Sequence, residues 1–173
     1  QAGAQPAAQL KDMLDSFKCR GKRLGIESQS YGLTHFNGKA VDAAMAGFCT
    51  LAEANDLVNM IRVVKSKAEL KYVRKAGELG DAALKAAIRK TKAGADEGEI
   101  LAAQQGAVLA GGGDYPANEF IIGSGRDALL CRYKSGRRRL SKRDQLTLEW
   151  AGVYRHYHAA FMRTLIVGKP SRA

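Results

Sequence analysis

Apolar residues recur along this chain at two spacings, and the change from one to the other comes near residue 113. From 6 to 20, Leu10, Met13, Leu14 and Phe17 fall on one side of a 3.6-residue repeat, which predicts a short helix ending at Gly21. Leu24-Gly25-Ile26 then reads as a short strand. Residues 34–48 return to helical spacing with Val41, Ala44, Met45 and Phe48. The run from Leu57-Val58 through Met60-Ile61-Arg62-Val63-Val64 reads as another strand. These elements make a small α/β unit.

Ser66-Lys67-Ala68-Glu69 is a capping box, in which a hydroxyl and a carboxylate each satisfy a free backbone N–H of the first helical turn. The helix it opens has Leu70, Val73, Gly77, Gly80, Leu84 and Ile88 along one face, with Gly94 as its terminator. A rod of roughly 40 Å results at 1.5 Å per residue. Each glycine on that face costs about 1 kcal/mol relative to alanine, so something is expected to pack closely there. Asp96 and Glu99 open a further helix carrying Ile100, Leu101, Gln104, Ala107 and Val108 inward, and Gly111-Gly112-Gly113 ends it. Beyond it the apolar runs are short: Phe120-Ile121-Ile122, Leu129-Leu130, Leu146-Thr147-Leu148 and Thr164-Leu165-Ile166-Val167. Two helices followed by several strands predict an α+β layer, with helices over one face of a mostly antiparallel sheet.

Composition narrows this picture. The 173 residues include 46% hydrophobic side chains, enough for a real core. No window approaches the uninterrupted apolar length of a membrane span. Cys19, Cys49 and Cys131 are odd in number and form no CxxC pair. They read as free thiols in a reducing compartment, which places the protein in the cytoplasm. The net charge of +11 is concentrated in residues 118–173, which hold twelve basic and four acidic side chains. Arg137-Arg138-Arg139 is the densest cluster. Clustered arginine suits phosphate, but no recognition helix, stacking platform or zinc finger accompanies it, so nucleic acid is not the expected partner.

Functional side chains gather between Asp144 and His158. Glu149 lies in a run of apolar strand residues, where a carboxylate is costly unless paired or used. His156 and His158 are two apart and would share a face on a strand. Two imidazoles and a carboxylate can ligate a metal or carry a proton; a solvent-facing edge strand would also explain them. Gly123-Ser124-Gly125 is too short and too common a run for a phosphate loop and reads as a turn, and the glycine triplet 111–113 lacks the Lys-Ser/Thr that such a loop needs. No Gly-x-Ser-x-Gly elbow is present. Cys131 reads as a small buried residue.

Val64-Lys65-Ser66-Lys67-Ala68-Glu69-Leu70, Phe120-Ile121-Ile122-Gly123-Ser124-Gly125, Asp144-Gln145-Leu146-Thr147-Leu148-Glu149 and Arg163-Thr164-Leu165-Ile166-Val167-Gly168-Lys169-Pro170 occur in one order. In that order they resemble the creatinase, prolidase and Xaa-Pro aminopeptidase superfamily, the M24 peptidases of pita-bread fold. The resemblance implies that 63–173 is the first half of the catalytic domain and that 1–62 is the end of a small α/β N-terminal domain. It also implies that the remaining His and Glu residues of the site lie in a second half beyond Ala173. The whole protein is then expected to be a homodimer acting on a small-molecule substrate.

Two departures shape the expected chemistry. In the metallopeptidases of this family, the position of Glu149 is a metal-ligating Asp, and a second Asp falls eleven residues later, where this chain has Ala160. The family's proton-shuttle His aligns with Arg132. The resemblance therefore implies the metal-free branch: a creatinase-like hydrolase cleaving a C–N bond of a small carboxylate-bearing molecule, with no cofactor. Glu149, His156 and His158 are the expected catalytic residues, and Arg132 and Arg163 the expected carboxylate binders. The alternatives are an Xaa-Pro dipeptidase or aminopeptidase using manganese, cobalt or zinc, and a non-catalytic pita-bread binding module.

Overall fold

The computed structural model describes residues 3–130 and 137–170. The chain divides into two compact units, Gln1–Val64 and Lys65–Ala173.

The first unit runs α1 (Pro6–Ser16), β1 (Arg23–Ile26), α2 (His35–Met45), β2 (Thr50–Glu53) and α3 (Leu57–Val63). Strands β1 and β2 pair in parallel, with Arg23 opposite Thr50 and Ile26 opposite Glu53. Thr34 caps α2 by accepting the Asn37 N–H. Met45 and Phe48 are its buried apolar side chains, and Lys11 and Arg20 stand over the Phe48 ring.

One expectation is corrected here. The apolar run beginning at Leu57 is helix α3, and the strand lies earlier, in Thr50-Leu51-Ala52-Glu53. A continuous apolar run lacks the period-2 alternation that would separate strand from helix. Local bonds decide it: Asp56 takes a left-handed backbone and its carbonyl accepts the Met60 N–H. The Val58 N–H donates to the Glu27 carboxylate. Leu57, Met60, Ile61 and Val63 stay exposed.

The second unit runs α4 (Lys67–Lys90), α5 (Glu97–Ala110), β3 (Ile121–Ser124), a 3-10 turn (Gly125–Leu130), β4 (Asp144–Tyr154) and β5 (Tyr157–Val167). The sheet order is β3-β4-β5, and both pairings are antiparallel. Both halves of the Ser66/Glu69 capping box are made. Leu129-Leu130 belongs to the 3-10 turn, not to a strand as expected from its apolar character.

The inward face of α4 also differs from expectation. It consists of Ala76, Leu79, Gly80, Ala83, Ala86 and Ala87, whereas Leu70 and Ile88 are exposed. Small residues are needed because β4 comes unusually near. A methyl group on Gly152 would overlap the Ala76 carbonyl oxygen, and one on Gly80 would enter the Phe161 ring. Gly77, by contrast, faces open space. The Trp150 indole N–H donates to the Gly80 carbonyl at 3.0 Å, and its ring stacks on Phe161 with centroids 5.3 Å apart. Around this contact Ile100, Val108, Phe120, Ile122, Leu140, Leu146 and Leu148 complete the core.

Candidate functional site

Alternation along the strands gives the sheet two unlike faces. Leu146, Leu148, Trp150 and Gly152 of β4 face the helices. Gln145, Thr147, Glu149, Ala151 and Val153 take the opposite side. The register places Ile166, Thr164, Met162, Ala160 and His158 of β5 on that same open side, with Ile121 of β3 across from Glu149. Glu149 is half-buried there, between Ile121 and Met162. Ala160 pairs with Ala151, which makes it a diagonal neighbour of Glu149 on the open face.

The two histidines do not share a strand face, which corrects the expectation drawn from their spacing. Arg155 and His156 form the two-residue turn joining β4 to β5, both with positive φ (51° and 64°). His158 is the second residue of β5 and pairs with Val153, four positions along β4 from Glu149. At 3.2–3.4 Å per residue, His158 stands about 13 Å from Glu149 along the strand. The turn is tied to the segment before β3. The Asp114 N–H donates to the Val153 carbonyl at 3.0 Å, and the His156 N–H donates to the Asp114 carboxylate at 3.0 Å. The Ala117 N–H donates to His158 Nε2 at 2.9 Å.

Arg163 pairs with Leu148, so it leaves β5 on the side away from Glu149, and its guanidinium donates to the Met162 carbonyl. Glu149 and Arg163 are thus near in sequence register but divided by the sheet. Arg132 and Cys131 lie outside the described residues.

The arginine triplet has a role that the sequence did not show. Glu97, at the start of α5, is 1% exposed, and its carboxylate accepts the backbone N–H groups of Arg137 and Arg138. Arg138 reaches Ser124, Ser141 and Asp144, and Arg139 reaches Asp96 and the Gly94 carbonyl. Burial pushes the Asp144 carboxyl up, but the Ser141 N–H, Arg138 and the Gln145 N–H outweigh it and hold it below its ordinary range. Arg138 is therefore engaged in fixing the ends of β3 and β4, and Arg139 in fixing the start of α5. The available signal was Glu97 beside the Asp96 cap: a second acidic residue in a first turn, with basic residues to meet later in the chain.

Comparison with known proteins fits this arrangement. Residues 71–173 match metallopeptidase family M24. The chain belongs to that family. It is 30% identical over 169 residues to an Xaa-Pro dipeptidase of Pyrococcus horikoshii, covering 96% of this chain and 47% of the relative. It is 28% identical to an ectoine hydrolase of Halomonas elongata, covering 85% of this chain and 39% of that enzyme. Its fold superposes on an X-Pro aminopeptidase of Thermotoga maritima with TM-score 0.80 at 23% identity, covering 97% of this chain and 46% of the other. The chain spans about half the length of these relatives or less. The α+β unit of two helices on an antiparallel sheet is thus the corresponding part of a pita-bread M24 protein.

The family is one of metallopeptidases by description, which sets it against the expectation of no cofactor, and the donors on the open face decide whether a two-metal centre fits. Glu149 offers a carboxylate to the open face. The diagonal position, where the resemblance places a second metal-ligating aspartate, offers the methyl group of Ala160. Two cations about 3.5–4 Å apart require shared oxygen donors, and Ala160 has none. Among the described residues no group of three or more His, Cys, Asp or Glu side chains is placed to hold a metal ion. The residues present on this face do not fit the family's two-metal centre. No helix among the described residues is long and apolar enough to cross a membrane.

Proposed function

We propose that the protein to which this chain belongs is a creatinase-like hydrolase that opens a C–N bond in a small carboxylate-bearing molecule. We propose that it does so without a metal bridged between positions 149 and 160. The observation carrying this reading is the pairing of Glu149 with Ala160 as diagonal neighbours on the open face. Glu149 is the polar group on that face suited to anchor substrate or to exchange a proton with it. Hydrolysis also requires a positioned water and a base tuned near neutrality, supplied by further chain as the resemblance implies. Arg132, at the position of the family's shuttle histidine, is a fixed cation suited to hold a carboxylate through two parallel hydrogen bonds. Similarity to an ectoine hydrolase supports this chemistry. A cytoplasmic homodimer is the state proposed for the whole protein.

A second reading is favoured by the 30% identity to an Xaa-Pro dipeptidase: metal-dependent cleavage of Xaa-Pro peptides with manganese, cobalt or zinc held by other ligands. Turnover by the full-length gene product separates the two. One panel holds small carboxylates with amide or amidine C–N bonds, and the other holds Xaa-Pro dipeptides; each is run with a chelator and with added manganese. Chelator-resistant turnover confined to the first panel supports the proposal. Manganese-dependent turnover of dipeptides establishes the second reading, and no turnover of either panel leaves a binding module.

A further inference from the structure

We propose that His158 is a positioning residue: a neutral imidazole, protonated at Nδ1, that latches the 114–117 segment to the β4–β5 hairpin at one end of the open sheet face. The inference rests on reading that face as the substrate side, and it gives His158 a different task from the proton carrier that its spacing suggests.

The backbone partners fix the protonation pattern. Nε2 lies 2.9 Å from the Ala117 nitrogen. A backbone N–H can only donate, so Nε2 must present its lone pair. Nδ1 lies 2.9 Å from the His156 carbonyl oxygen. A carbonyl can only accept, so Nδ1 must carry the hydrogen. One neutral tautomer satisfies both contacts. The imidazolium does not, because it would set an Nε2–H against the Ala117 N–H. A ring with both nitrogens committed to backbone has no lone pair left for a substrate proton.

The latch has a mechanical consequence. His158 leaves β5 on the open side, in register with Val153, and grips the segment at Ala117, while Asp114, Tyr115 and Pro116 line one cavity with Gln105, Val108 and Leu109 of α5. Two further bonds hold the base of the segment: Asp114 N–H to the Val153 carbonyl, and His156 N–H to the Asp114 carboxylate. Ala117, three residues on, is joined to the hairpin by His158. Between these anchors stands Tyr115, 80% exposed, and Pro116, whose ring fixes the local backbone. The segment is a short wall whose outer half depends on one imidazole.

The test uses the full-length gene product, labelled with 15N, and three His158 variants. Ring-nitrogen spectra of the wild type are expected to show His158 as the Nδ1–H tautomer with Nε2 unprotonated. His158→Leu is expected to speed hydrogen exchange of the Ala117 amide roughly tenfold, the factor that follows from losing one hydrogen bond of ordinary net strength. His158→Gln, whose Oε1 can take the place of Nε2, is expected to restore slow exchange, while His158→Lys, a donor only, is not. The Asp114 amide should keep its wild-type rate in all three, which separates release of the latch from general loosening. An Nε2–H tautomer in the wild type overturns the proposal, as does an Ala117 amide that exchanges at the same rate in His158→Leu. None of these readouts involves turnover, so failure of the latch leaves the proposed hydrolysis standing, and failure of the hydrolysis leaves the latch standing.

Discussion

The two faces of the three-stranded sheet are made by alternate residues of the same strands, yet they are built to different standards. On the helix side each position is determined by its neighbours: Gly152 has room for a hydrogen and no more, and Trp150 finds both a stacking partner and a carbonyl acceptor. On the open side, residues of unlike chemistry stand together, Glu149 beside Met162 and Ala151 beside Ala160, with Met162 57% exposed. The packed face is fixed by shape and tolerates little change. The open face is free to change chemistry while the fold stays. Positions 149 and 160 can therefore change chemistry while the architecture stays, because they lie on the side that faces away from the helices.

Substitutions on the packed side should break this contrast most severely. Gly152→Val places a side chain into the α4 backbone, and a loss of about 5 kcal/mol or failure to fold is expected in urea denaturation. Trp150→Ala removes the stacked ring and the indole N–H bond to the Gly80 carbonyl, at an expected cost of about 3–5 kcal/mol. At the strand ends, Asp144→Asn weakens the bonds from Arg138 and the Ser141 N–H and should cost about 2 kcal/mol at neutral pH. Its pH dependence has a definite sign. The folded-state carboxyl is held below its ordinary value of 3.8, so its contribution is complete above that value and is lost as pH falls through the lower folded value. Stability measured from pH 5 downward should therefore decline less steeply in Asp144→Asn than in the wild type. The smallest effect on stability belongs to the open face. Glu149→Gln is expected to cost about 1 kcal/mol while abolishing turnover in the full-length gene product. A large loss of stability there would erase the distinction between the faces.

Much of the fold was legible because local signals agreed with the tertiary outcome. The Ser66/Glu69 box, the Asp96 cap and the Gly111 stop each act within one or two turns, so sequence alone carries them. The α4 face was misplaced because apolar periodicity points to large side chains, whereas the packing there selects alanine and glycine; only a view of β4 explains why. Helix α3 was misread because an apolar run without alternation carries no period to distinguish it. At the site, the sequence offered Glu149 and Ala160 only as two positions eleven residues apart; the β4–β5 register is what brings them to one side of the sheet. His156 could not be placed from spacing, since a two-residue turn falls between the tyrosines Tyr154 and Tyr157, which pair with each other. The partners of His158 and Glu97 are about 40 residues away in sequence and are set by tertiary structure alone.

The most direct test of the account is the metal content of the full-length gene product, purified, loaded with manganese, dialysed and counted by mass spectrometry. With a methyl group at position 160, the account predicts no retained manganese and turnover unchanged by the treatment. Retention of about two manganese ions per chain, the stoichiometry of a bridged two-metal centre, together with activity that requires them, would contradict it.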